Sequence, residues 1–254
     1  MLTIAVIACS DYRIHDQQDV QGAEDTGQLG GGGPSRDEPE VEEPEPASEP
    51  IYVHTGQSLW SWDTVGDAVH VGDFFDNGEL VDDITDVAID LDGRFWGVSS
   101  DTLWRIYPDS AEVWPVAALD VYLAGLTFVS DGRLVGAGDG VWEIDTATGM
   151  LTEIVAEGAY ETSGDIVGLP DGLLYWTVWG GDGLVTVDPD SGDTNWVGAI
   201  GVERIFGLGY ADESLFGFTS TGDAVRIDTG TAEAGSTVPL TLSWWGATTN
   251  PVLW

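Results

Sequence analysis

Side chains that exchange protons, attack or ligate are scarce in this 254-residue chain, its carboxylates apart. The three histidines are His15, His54 and His70, and no two have the i, i+4 spacing that turns both toward one metal ion. A single cysteine, Cys9, allows no intrachain disulfide. No G-x-S-x-G elbow, P-loop or helix-opening G-x-G-x-x-G occurs, and Gly30–Gly33 runs into Pro34 and acids that would repel a phosphate. Asp188-Pro-Asp190-Ser-Gly-Asp193 looks like a calcium loop. Its register departs from D-x-D-x-D-G with a distant Glu, and the matching place elsewhere reads Thr146-Ala-Thr-Gly149, so a turn closed by Asp is expected instead. In a chain with 45 Asp+Glu, carboxylate pairs arise unavoidably and do not by themselves point to glycosidase chemistry. These residues specify neither a catalytic group nor a metal site.

The charge narrows the partners. Against the 45 acids stand 7 cations, all Arg, for a net charge of −38. Nucleic acid is excluded, because nothing here could displace its counterions. Anionic lipid is disfavoured as a peripheral surface. No stretch of 18 apolar residues exists to cross a bilayer as a helix. Twelve acids and two Arg fall in residues 1–50, leaving 33 and five for residues 51–254. A body that acidic repels itself and is relieved by salt, which suits a saline exterior; drift in a GC-rich genome would also deplete Lys.

The elements that must position any site come from a repeat in residues 51–254. A short strand recurs as LWSWD (59–63), LWRIYPD (103–109), VWEID (141–145), LVTVD (184–188) and AVRID (224–228). Its second positions lie 44, 38, 43 and 40 residues apart. Two strands precede each of the last four copies, joined by Asp-Gly turns at 92–93, 131–132 and 171–172, and a further strand follows most copies. A four-stranded antiparallel unit of this length buries neither face alone and must stack on copies of itself, which is the pattern of a β-propeller blade. Residues 51–74 supply a second, third and fourth strand without a first, and WGATTN (245–250) supplies the missing one. The expected fold is therefore all-β, a propeller of five four-stranded blades closed by pairing of the terminal strands. PVLW (251–254) either extends the closing strand or competes with IYVHTG for the second position, and a sixth degenerate blade or an open ring is the alternative.

On such a scaffold the loops between blades share a face with the loops between second and third strands, at the mouth of the central channel. They carry Tyr122, Tyr160, Glu161, Glu203, Arg204, Trp244 and Trp245, with His54, Trp179 and Asp182. The ligand-binding candidates are Tyr122, Tyr160, Trp179, Arg204 and Trp245, aromatics suited to a sugar or a peptide. Arg204 would hold an anion or pair with Glu203 or Glu161. Trp60, Trp104 and Trp142, which repeat in register, belong to the core. Function is then non-catalytic binding or scaffolding with a glycan or protein partner. The alternative is a lactonase- or lyase-type enzyme with calcium or another divalent metal held in the channel by groups such as Asp86, Asp165 and Asn250.

Residues 1–9, MLTIAVIAC, are apolar but for Thr3 and end in a cysteine preceded by Val6-Ile7-Ala8, and sustained polarity begins at Ser10. This resembles the end of a bacterial lipoprotein signal peptide, which implies lipidation of Cys9 and a cell-envelope location, extracytoplasmic and lipid-anchored. The basic n-region is absent, as though translation begins further upstream. A chance apolar start or a shortened secretory signal gives the same composition. Residues 10–50, rich in Gly, Pro and Glu, cannot bury enough apolar area to offset ordering entropy and read as an acidic disordered linker. A flexible coil of that length spans on the order of 35 Å. Together with the repeat, the chain resembles bacterial extracytoplasmic β-propeller lipoproteins, a resemblance of architecture that implies a membrane-tethered propeller and names no ligand.

Overall fold

A computed structural model describes residues 49–252. The readings made for residues 1–9 and 10–50 lie outside it. The described chain has no helix and folds as five four-stranded antiparallel sheets plus one small hairpin. Blade one takes β1 (Ile51–His54), β2 (Ser58–Trp62) and β3 (Val69–Asp73). The hairpin β4 (Phe75–Asp76) and β5 (Glu79–Leu80) follows, turning at Asn77-Gly78, both with positive φ. Blade two is β6 (Asp86–Ile89), β7 (Phe95–Val98), β8 (Thr102–Ile106) and β9 (Val113–Ala118). Blade three is β10 (Gly125–Phe128), β11 (Leu134–Ala137), β12 (Val141–Ile144) and β13 (Leu151–Val155). Blade four is β14 (Thr162–Gly168), β15 (Leu174–Val178), β16 (Gly183–Val187) and β17 (Thr194–Ala199). Blade five is β18 (Ile205–Ala211), β19 (Ser214–Thr219), β20 (Asp223–Ile227) and β21 (Ala234–Pro239).

The last strand, β22 (Gly246–Thr248), pairs antiparallel with β1 in the register Tyr52↔Thr248, Val53↔Ala247, His54↔Gly246. It is the inner strand of blade one, so the two ends of the repeat share a sheet and leave no open blade. The inner strands β6, β10, β14, β18 and β22 touch in succession, and β22 returns to β6. Pro251 lies in a turn beyond β22 and does not contest the position of β1.

The apolar core is divided among the five junctions between blades. Leu59, Phe74, Val87 and Phe95 fill the junction of blades one and two. Trp96, Leu126, Phe128 and Trp142 fill the next, and Val135, Val155, Ile166 and Trp176 the third. Tyr175, Leu184, Leu208 and Ile227 pack the fourth, and Ile51, Trp62, Phe218 and Trp244 the fifth. Each sheet is thus buried on both faces in its inner three strands, while the fourth strands face solvent. Of the register-repeating tryptophans, Trp142 is buried, whereas Trp60 and Trp104 are half-buried, with indole N–H groups bonded to Ser58 and Ser99 hydroxyls.

Turn chemistry explains the repeated acids. Asp145 Oδ1 accepts from the Ala147 and Thr148 amides, Asp188 Oδ1 from Asp190 and Ser191, and Asp228 Oδ1 from Gly230 and Thr231. The Thr148 hydroxyl, foremost at Asp145, and these amides hold all three carboxyls below the usual carboxylate range. In Asp188–Asp193 the carboxylate closes its own turn, as its sequence suggests.

Candidate functional site

Two layers meet at the axis of the ring. Following strand registers around the blades, Asp86, Gly125, Asp165, Gly207 and Gly246 occupy one level of the inner strands. The strands approach so closely here that a Cβ on Gly246 would lie 2.1 Å from Asp86 Oδ1 and 2.2 Å from His54 Nε2. Glycine at that position lets His54, on the neighbouring strand β1, reach the axis.

His54, Asp86 and Asp165 are fully buried. Their first task is structural. An inner strand has a free edge toward the axis, and its amides need acceptors away from water. Asp86 Oδ2 accepts from Leu126 N of the next blade, and Asp165 Oδ2 accepts from Leu208 N of the next. Thr127 and Thr249 hydroxyls do the same for Gly168 N and Tyr210 N. Asp165 Oδ1 accepts from Ile166 N at 2.6 Å.

The remaining contacts fix the protons. His54 Nδ1 lies 2.8 Å from the Thr55 carbonyl, which can only accept, so Nδ1 carries a hydrogen. Its Nε2 lies 3.3 Å from Asp86 Oδ1. A hydrogen bond there needs a proton on Asp86 or a second one on the imidazole. A neutral imidazole beside two protonated carboxyls carries no net charge, which is what complete burial favours. Burial pushes both carboxyls up, and Asp165 is raised further by Asp86. Burial lowers His54 to about 4, against a smaller opposing pull from the Thr55 carbonyl and Asp165.

The second layer lies one residue earlier on each inner strand. Thr85, Ala124, Gly164, Phe206 and Trp245 floor a depression of 370 Å³, walled by Tyr122, Thr162, Ser163 and Trp179. All five blades contribute to it. Tyr122, Trp179 and Trp245 are 56%, 41% and 43% exposed, and Trp179 meets Phe206 edge-on at 6.5 Å. Thr85 and Thr162 hydroxyls are committed to the fold, bonding the Leu123 carbonyl and the Trp176 indole. The hydroxyls of Tyr122 and Ser163 and the indole N–H groups of Trp179 and Trp245 have no hydrogen-bond partner among the described residues.

Of the residues singled out in the sequence, the structure brings Tyr122, Trp179 and Trp245 to this depression and separates the others from it. Tyr160 packs edge-on against Trp176 and lines a different hollow with Asp139, Glu157 and Glu161. Arg204 is exposed in a left-handed conformation (φ 62°), lines no part of the depression and forms no ion pair among the described residues. Trp244 is fully buried in the core, because the residues before β22 alternate inward and outward. His54 belongs to strand β1 rather than to a loop. Asn250 accepts from Val252 N in the turn after β22. Sequence reading missed Phe206, Thr162 and Ser163 as lining. The signal was available, since 206 is to β18 what 245 is to β22. A larger groove of 790 Å³ lies away from the axis, between the β4–β5 hairpin and Tyr107 and Trp114. Among the described residues no three His, Cys, Asp or Glu are grouped to hold a metal ion.

No family model and no curated protein matches this chain. Among solved structures, it is similar to a chain of a nidogen/laminin complex, with a TM-score of 0.55 and 14% identity over 79% of this chain and 97% of that one. It also aligns with the Myxococcus xanthus glutaminyl cyclase at a TM-score of 0.47, 17% identical over 78% of this chain and 73% of that one, and with a Bacteroides caccae protein of unknown function at 0.46, 13% identical over 76% and 73%. This chain is a five-bladed β-propeller. At these identities the likeness is one of fold, so the argument for function rests on the site.

Proposed function

We propose that this propeller is a non-catalytic binding or scaffolding module of the bacterial cell envelope, exterior to the cytoplasm. In this reading an acyl chain on Cys9 anchors it, residues 10–50 tether it, and a glycan or protein ligand docks at the mouth of the channel. One observation carries the binding assignment: aromatic side chains from separate blades converge on a single depression floored by all five inner strands. Their polar edges are unengaged, so a ligand finds both ring faces to stack on and donors to bond. Titrating a glycan and peptide panel against intrinsic tryptophan fluorescence tests this. A hit should lose at least about tenfold in affinity in Trp179→Ala/Trp245→Ala. Unchanged affinity in a folded double variant removes the mouth from consideration. For the anchor, Cys9→Ala, made behind a complete signal sequence, should move the protein from the membrane to the soluble fraction.

The second reading, a lactonase- or lyase-type enzyme with a divalent metal, draws on His54, Asp86 and Asp165 at the axis. Those carboxylates are bonded to backbone amides, Asp86 also to His54, and all three groups are sealed below the floor. A stoichiometric divalent ion in the purified protein would favour the enzyme.

A further inference from the structure

The chemistry of the mouth separates one class of ligand from the rest. No lining residue of the depression carries a formal charge, and four of the nine are aromatic: Tyr122, Trp179, Phe206 and Trp245. The connections that lead into the inner strands carry exposed acids, Asp82, Asp83, Asp120, Glu157, Glu161 and Glu203, against one cation, Arg204. The rim is therefore anionic and the basin aromatic. An anionic ligand is repelled on approach. A primary ammonium is drawn in, but in the basin it would give up its water with no carboxylate to receive its hydrogens. A methylated ammonium holds its shell of water weakly, presents methyl groups to ring faces, and keeps the charge that the aromatic quadrupoles attract.

Resting on the mouth as the binding site, we propose that the group it recognises is a quaternary or highly methylated ammonium. The acidic rim concentrates the cation, and the rings of Tyr122, Trp179, Phe206 and Trp245 enclose it. Beneath the floor, the buried Asp86 and Asp165 tie β6 to β10 and β14 to β18. The proposal includes no covalent step.

The test compares choline with its uncharged carbon isostere, 3,3-dimethylbutan-1-ol, by tryptophan fluorescence titration of the wild-type propeller. Saturable binding of choline, with the isostere at least about tenfold weaker, is expected. Trp179→Leu and Trp245→Leu, which keep apolar bulk and remove the ring, should each weaken choline by about three- to thirtyfold, with melting curves showing that they fold. Phosphocholine serves as the second arm. Binding weaker than choline marks the ligand as a free cation, and equal binding marks it as a headgroup, since the ammonium is common to both. Equal affinity for choline and the isostere overturns the ammonium assignment and leaves the mouth as an apolar pocket. If choline does not bind while a glycan or peptide does, the ammonium falls and the mouth stands. If nothing that binds the protein is affected by the tryptophan variants, both fall.

Discussion

At the scale of single residues, the axial cluster makes opposite demands on pH. His54 is held near 4 by burial, below the 6.5 of an unfolded imidazole. Its contribution to stability is whole above 6.5 and is lost as the pH falls toward 4. Asp86 and Asp165 are raised above 3.8, chiefly by burial. Their contribution is whole below 3.8 and is lost as the pH rises through their folded values. Asp165→Asn keeps an oxygen for Leu208 N and cannot ionise, though its amide nitrogen then faces Ile166 N and lowers stability at every pH. In thermal melts over about pH 5 to 9, the variant should lose less stability toward the alkaline end than the wild type. Parallel curves would mean that Asp165 does not titrate there. A second pair of residues isolates a hydrogen bond. Trp176 donates its indole N–H to Thr162 at 3.0 Å, whereas the buried Trp244 indole N–H has no partner among the described residues. Both changes to Phe remove the same volume, so Trp176→Phe should cost about 1–3 kcal/mol more than Trp244→Phe in denaturant unfolding.

At the scale of elements, the strands and their turns are what the residue pattern makes visible. Asp-Gly turns place Gly93, Gly132 and Gly172 at φ of 77°, 91° and 84°, where other residues would be strained. In four of the five blades the Asp that ends the third strand, Asp63, Asp145, Asp188 or Asp228, accepts backbone amides of its own turn, whereas blade two has Tyr107 there. These interactions are local, so sequence shows them. The β4–β5 hairpin was not foreseen. Its strands are two residues each, too short for any alternation to register, and the segment reads as a plain connection. It contributes little to the core, since Phe74 and Ile84 on either side are buried while Phe75 and Leu80 are exposed. Replacing residues 75–80 with a short Gly-Ser link should leave the protein folded, with a melting temperature within about 4 °C of the wild type. A loss of cooperative unfolding would show that the hairpin pins blade one to blade two.

At the scale of the whole molecule, closure and charge dominate. With 33 acids and five Arg in residues 51–254, the ring repels itself, and few ion pairs offset this. The melting midpoint should rise steadily from low salt to about 1 M NaCl as the repulsion is screened. A flat or falling midpoint would mean that the acids are tolerated by local bonding, as at Asp145, Asp188 and Asp228, and that the fold needs no saline surroundings.

The residue pattern by itself determined an all-β repeat of four-stranded blades and pointed to five of them, because strand period and turn type act over a few residues; the pairing of β22 with β1, which settles blade count and closure, belongs to the tertiary structure. The pattern also placed Tyr122, Trp179 and Trp245 on connections facing one way. Tertiary structure decided which aromatics share a basin, sending Tyr160 to another hollow and Trp244 into the core. It alone assembled His54 with Asp86 and Asp165, residues 32 and 111 positions distant from the histidine. Their meeting depends on inner strands from different blades converging at one level, and on Gly246 leaving room there, neither of which any local interaction encodes.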